Sequence, residues 1–281
     1  MKFPENIDIP LDVWVDGAME WVLTTFGGFF DALGTLILYF MLYIEKFFLW
    51  LPWPVLVLGV GILGWRVLGS WWSGIGMAAM MFFIGALGLW ELGMMTLSLV
   101  VASVLISLAI GIPLGITMAS SDRMEAVIKP LLDGMQTMPS FVYLIPALML
   151  FGLGKVPALF ATIIYAVPPV IRLTNVGIRE VSTSVIEAAH AFGSSYWQIL
   201  FKVQLPLARP TILVGVNQTT MMALAMVVVA SMIGAKGLGL EVLLAINRIE
   251  VGRGFEAGLC IVFMAIVIDR ITFAMASAKK K

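Results

Sequence analysis

The chain offers little to covalent or metal chemistry and more to recognition. It holds one histidine, His190, and one cysteine, Cys260, so its side chains assemble no soft-metal or haem site and close no internal disulfide. It also lacks a glycine-rich phosphate loop with its Lys and Ser or Thr, which puts any nucleotide chemistry on another chain. What stands out is residues 187–206, a polar, helix-forming island between strongly apolar segments. It reads Glu187-Ala188-Ala189, then three residues, Gly193, nine residues, and Val203-Gln204-Leu205-Pro206.

Local physics makes this island a surface helix. Ser182, Thr183 or Ser184 can cap its start, Glu187 in the first turn would complement the helix dipole, and Ala188, Ala189 and Ala191 are strong helix formers. Gly193 ends or bends it. Ser194, Ser195, Tyr196 and Trp197 follow, and an aromatic pair on a polar surface suits a protein–protein anchor; the plain alternative is a cytosolic loop with interfacial aromatics. His190 reads as a solvated residue of the same helix.

A second polar set, Asn217, Gln218, Thr219 and Thr220, interrupts an apolar run at 211–233. Uncompensated amides are costly in lipid, so these side chains face protein or a water-filled path. Both interhelical hydrogen bonding and path lining remain open. Met221, Met222, Met226 and Met232 add soft side chains suited to packing or to a gate. Asp269-Arg270 reads as an ion pair or interfacial anchor.

The elements that must position these residues cross a membrane. Of 281 residues 61% are hydrophobic and 12% charged, with a mean hydropathy of +1.03, far outside the range of soluble domains. Apolar runs of helical length recur without the alternation of a β-barrel, so the expected fold is an all-α, polytopic transmembrane bundle. Zero net charge names no nucleic-acid partner. The expected spans are about seven: 52–68, 73–90, 94–119 with Pro113 kinking it, 139–154, 157–171, 211–233 and 255–274. Ahead of them, residues 1–20 form a polar extramembrane arm without the features of a secretory signal. Residues 21–50, rich in aromatics and broken by Gly27-Gly28, Asp31, Gly34 and Glu45-Lys46, form interfacial helices, with a tilted extra span as the alternative.

The division that follows is an extracytoplasmic arm with interfacial helices (1–50), two peripheral spans (51–92), a core (93–275) containing a cytoplasmic loop (172–210), and a basic tail (276–281). With the C-terminus inside, 11 of the 17 Lys and Arg residues are cytoplasmic or at that boundary. The bias predicts N-terminus out, C-terminus in, and residues 187–206 in the cytoplasm.

The spacing of residues 187–206 resembles the EAA motif of bacterial ABC importer permeases, with Val203 in place of the usual Ile. The runs Leu131-Leu132-Asp133-Gly134-Met135-Gln136-Thr137-Met138-Pro139-Ser140-Phe141-Val142-Tyr143-Leu144-Ile145-Pro146, Arg172-Leu173-Thr174 and Gly234-Ala235-Lys236-Gly237-Leu238-Gly239 look like the permeases of glycine betaine/proline importers. The resemblance covers residues 94–270; the N-terminal third matches in general character only. It implies a type I importer permease in the bacterial cytoplasmic (inner) membrane, paired with a second copy and surrounded by lipid. An external binding protein would deliver a compatible solute, and ATPase subunits below would hold ATP and Mg, leaving this chain without a cofactor and without enzymatic activity. It assigns Glu187, Ala188, Ala189, Gly193, Ser194, Ser195, Tyr196, Trp197, Leu205 and Pro206 to ATPase coupling. Tyr143, Asn217, Gln218, Thr220 and Met221 are the candidate path residues, and Tyr143, Phe141 and Tyr165 offer aromatic faces to a quaternary ammonium in transit. A self-contained ion-coupled carrier is the competing class; Glu91 and Asp269 are its few candidate ionisable residues. Choline, carnitine and trimethylamine N-oxide remain alternative solutes.

Overall fold

The computed structural model describes residues 10–277. These are all-α, without a strand among them: α1 (Leu11–Trp50), α2 (Trp53–Leu68), α3 (Trp71–Ala86), α4 (Trp90–Ser120), α5 (Asp122–Thr137), α6 (Ser140–Phe151) and α7 (Lys155–Arg179). They continue with α8 (Thr183–Ala191), α9 (Tyr196–Ile199), a π-helical turn (Leu200–Gln204), α10 (Leu205–Ala225), α11 (Val227–Ser231), α12 (Leu238–Arg248) and α13 (Val251–Ser277). Lys279, Lys280 and Lys281 of the expected tail, and residues 1–9 of the expected arm, lie outside the described residues.

Among the described residues, five helical stretches are long and apolar enough to cross a membrane: α1, α4, α7, Tyr196–Ala225 and α13. The pair α5–α6, bent by 101°, adds a sixth if taken as one crossing. At 12 residues α6 is about 18 Å long and cannot cross a hydrocarbon layer of about 30 Å alone. The 16-residue helices α2 and α3 are apolar but short. The expected seven spans therefore correspond to helices, with changed limits: α7 runs eight residues past 171, straight through Pro168-Pro169, and the sixth span begins near 196. Helix α4 likewise continues unbroken through Pro113.

Residues 21–50 depart most from expectation. They belong to one uninterrupted 40-residue helix, α1, which by length and apolarity qualifies as a span. Its glycines cost about 1 kcal/mol each against alanine but do not end a helix, and no proline lies within it. Most of its aromatics are exposed; Met41 and Glu45 are its buried residues. Glu45 pairs with Lys155 at the start of α7, and Phe30 meets Phe151 of α6 edge-on, fixing α1 to the core.

The core centres on α7, whose apolar stretch is mostly buried between α4 and α10. Small residues let these helices approach. A Cβ on Gly111 would lie 2.4 Å from Val170 Cγ1, and one on Gly115 2.5 Å from Thr174 Cβ. From the other side, Gly215 of α10 backs onto Leu173 and Val170. Close packing of this kind is what holds helices together where lipid competes for apolar contact. At one end of α7 the bundle is tied by backbone. Gly154 N–H donates to the Ile233 carbonyl, and Leu238 N–H to Thr96 Oγ1, both at 2.8 Å.

Candidate functional site

The island at 187–206 folds as a helix, a tight turn and the start of a long helix. Helix α8 ends at Gly193, which takes φ +75°. Gly193 N–H donates to the His190 carbonyl at 2.8 Å and Ser194 N–H to that of Ala189 at 3.1 Å, the paired bonds of a Schellman cap. No atom lies within 4 Å of a Cβ built on Gly193, so in this chain glycine is required by backbone angle and not by close approach. Two residues on, Ser195 begins α9 with a capping box: its side chain accepts the Gln198 N–H while its own N–H donates to Gln198 Oε1 at 2.8 Å. Helix α9 passes into the π turn, where Leu205 N–H reaches back five residues to Leu200. Pro206 follows at once, and having no N–H it cannot close an α-bond to Lys202. Thus Leu205 and Pro206 do not end a loop. They lie inside a 30-residue helix, Tyr196–Ala225, and residues 172–179 of the expected loop are the last turns of α7.

Two expectations for α8 are corrected. Glu187 is its fifth residue, beyond the first turn, so its carboxylate is too far along to offset the N-terminal dipole. Ser182 occupies the cap position without capping; its hydroxyl bonds to that of Ser184 at 2.7 Å.

No residue of α8 is buried. Glu187, Ala188, Gly193, Ser195, Tyr196 and Trp197 are exposed, with Ala189, Ser194 and Leu205 half-buried and Pro206 exposed. Two aromatics join the patch that sequence reasoning passed over. Phe192, at the cap, is 90% exposed, and Phe201 stacks on Trp197 with ring centres 5.9 Å apart. Phe192 was legible as an apolar residue directly before the helix-ending glycine, and the capping box as Ser195-Tyr196-Trp197-Gln198.

Where this segment meets the bundle, Arg179 at the end of α7 is held by Asp122 (2.8 Å) and Glu125 (3.1 Å) of α5 and by Asn175 (3.1 Å). It also donates to the Met118 carbonyl at 3.2 Å. Two turns earlier on α7, Arg172 bonds Asp133 at 2.5 Å. Tyr196 and Ser120 share a hydroxyl–hydroxyl bond of 2.5 Å.

The candidate path residues do not act as a group. Asn217 Nδ2 donates to Asp269 Oδ1 at 2.9 Å and its oxygen accepts from Thr272 Oγ1, so its amide is occupied with α13. Thr220 is buried and bonds its own helix at the Val216 carbonyl. Tyr143 is buried, its hydroxyl donating to the Met135 carbonyl. Gln218 and Met221 are exposed, and with Val214 and Ala225 they form one outward stripe of α10. Buried Thr219 keeps a hydroxyl without a partner.

Residues 111–279, more than half of the chain, match the family model of the binding-protein-dependent transport system inner membrane component. The chain belongs to that family. This permease is 47% identical over 269 residues to the glycine betaine/proline betaine transport system permease protein ProW of Escherichia coli, covering 95% of this chain and 75% of that protein. It is 46% identical to the glycine betaine/carnitine transport permease protein GbuB of Listeria monocytogenes, with 99% of both chains covered. It is 44% identical to the glycine betaine transport system permease protein OpuAB of Bacillus subtilis over 97% of this chain and 96% of that one. In fold, the inward-facing MetNI methionine ABC transporter superposes with a TM-score of 0.62 at 19% identity, over 69% of this permease and 96% of that chain. The permease is thus a multi-pass inner-membrane component of a transport system.

Proposed function

We propose that this chain is the membrane permease of an ATP-driven importer for glycine betaine and related compatible solutes. The observation that carries the reading is its similarity, along essentially the whole chain, to three permeases that all transport glycine betaine. A separate ATPase supplies the energy, with ATP and Mg bound there and no cofactor on this chain. An extracytoplasmic binding protein delivers the solute, and a second copy of the chain completes the path.

Coupling falls to the exposed segment around α8. A soluble partner that buries Phe192 and Trp197 removes two large rings from water, each worth about 2 kcal/mol. Glu187, Ala188 and Ala189 on α8, the Gly193-Ser194-Ser195 turn and Tyr196 give that partner a short rigid helix to grip. Leu205 and Pro206 contribute indirectly, by fixing how the helix re-enters the bundle. When the ATPase closes, α8 moves with it and the permease pair opens outward; hydrolysis resets it.

On the path side, the outward stripe with Gln218 and Met221 fits a surface facing the second copy or the solute, since a bare amide in mid-span is disfavoured against lipid. Asn217 and Thr220 turn away from that stripe on the same helix, and Tyr143 braces α6 against α5. The distribution of Lys and Arg supports a cytoplasmic C-terminus, and an odd number of crossings would then put the N-terminus outside.

The reading is tested by uptake in cells without their own osmolyte importers, supplied with this permease, its ATPase and its binding protein. Labelled glycine betaine should accumulate and be competed best by proline betaine or carnitine. Uptake competed only by trimethylamine N-oxide, or by an unrelated amino acid, would reassign the solute.

A further inference from the structure

We propose that Arg179 and Tyr196 are the two positioning residues through which movement of α8 enters the membrane bundle, both acting on the last turn of α4. This rests on the coupling role of α8 proposed above. Among the described residues, α8 buries no side chain and forms no ion pair. It packs on α9 and the π turn that follow it, and the polar ties from this segment to α4 lie on either side of it.

Both ends reach the same place. On the entry side Arg179, four residues before α8, donates to the carbonyl of Met118. On the exit side Tyr196 bonds Ser120. Ser120 Oγ already donates its only proton to the Ile116 carbonyl at 2.7 Å, so the phenol is the donor in the 2.5 Å bond. Met118 and Ser120 lie in one turn, at the end of a 31-residue helix that packs along α7 to the opposite end of the bundle. A displacement of α8 thus pulls α4 from two points, and α4 is long enough to carry it across the membrane.

The acidic partners of Arg179 are unequal. The Asp122 side chain is 91% exposed and its pairing is screened by solvent. The Glu125 side chain is 28% exposed and also accepts from Asn175 Nδ2 at 3.1 Å, closing an Arg179–Glu125–Asn175 triangle. Glu125 therefore holds the guanidinium against α4, and Asp122 is dispensable.

The test uses the complete transporter in lipid nanodiscs and vesicles, reading ATPase content, ATP turnover with loaded binding protein, and solute moved per ATP. Arg179→Gln should lower solute per ATP about tenfold, as expected for loss of a charge-assisted hydrogen-bond node, and Tyr196→Phe about threefold. ATPase content should stay at the normal level in Arg179→Gln, and for Tyr196→Phe the ratio is read on complexes that retain their ATPase. Arg179→Lys should recover part of the loss, and Asp122→Asn should lie within about twofold of the unmodified protein. A purely structural role would lower assembly and turnover together and leave the ratio unchanged. Solute per ATP within twofold of normal in fully assembled Arg179→Gln and Tyr196→Phe complexes would overturn the proposal. Should Arg179→Gln fail to assemble, Tyr196→Phe, which removes one oxygen, decides alone. A crosslink from Ser194→Cys to the ATPase separates the two levels: its absence sinks the coupling role of α8, whereas its presence with unchanged solute per ATP sinks only this inference.

Discussion

The side-chain amide of Asn217 on α10 donates to Asp269 Oδ1 on α13 at 2.9 Å, while its oxygen accepts from Thr272. Both ends of a mid-span amide are therefore spent on joining two helices. The neighbouring Arg270 guanidinium lies 3.9 Å from the same carboxylate, a looser contact than the amide makes. We predict that Asn217→Leu costs about 1–3 kcal/mol, because it leaves a half-buried carboxylate without its donor. A lowered thermal midpoint in detergent with an unchanged order of competing solutes is the expected result; altered solute preference at normal stability would return Asn217 to the path.

Gln218 is one residue away and faces the other direction. Replacing it by Leu, or Met221 by Trp, should leave stability within about 0.5 kcal/mol, as for exposed positions generally. Uptake should fall or change its concentration dependence. Paired measurement of thermal midpoint and uptake kinetics distinguishes this stripe from a lipid-facing one, for which both substitutions would be silent.

That contrast between adjacent residues marks how far the sequence could be read. The polar cluster at 217–220 was visible as residue types, and so was the cost of exposing it to lipid. Which amide turned inward depends on the rotation of α10 about its axis, and this is set by Gly215 against Val170 and Leu173 of another helix. The island at 187–206 was legible because its signals are local: alanines, a helix-ending glycine, a capping serine. Its limits were not, since α7 continues through Pro168-Pro169, as prolines within a helical bundle are able to do. The length of α1 escaped for a related reason. Glycines and isolated charges weaken a helix without ending it, so the breaks read at Gly27-Gly28 and Glu45-Lys46 are absent from the fold.

Gly193 provides a test of cause. At φ +75° a side chain costs about 1–2 kcal/mol in most residues, but asparagine tolerates this region. We predict that Gly193→Val reduces co-purification of the ATPase and abolishes or weakens uptake, while Gly193→Asn stays close to normal. Equal damage from Asn and Val would mean that the partner, and not the backbone angle, excludes a side chain here.

The charge distribution predicts the topology, and α1, long and apolar enough to cross, is the element that could change it. A reporter active only in the cytoplasm should work when fused after Lys281 and fail when fused ahead of Asp12. Activity at both ends would mean that α1 is itself a crossing and that the chain passes the membrane an even number of times.

The central claim, that this chain is a passive path driven by ATP hydrolysis on another subunit, is met most directly in sealed vesicles. The permease would be reconstituted with its ATPase, ATP enclosed on the ATPase side and the loaded binding protein outside. The account predicts accumulation of labelled glycine betaine that requires ATP and all three components, with no phosphate released by the permease alone. Uptake by the permease alone, driven by a proton or sodium gradient and indifferent to ATP, would contradict it.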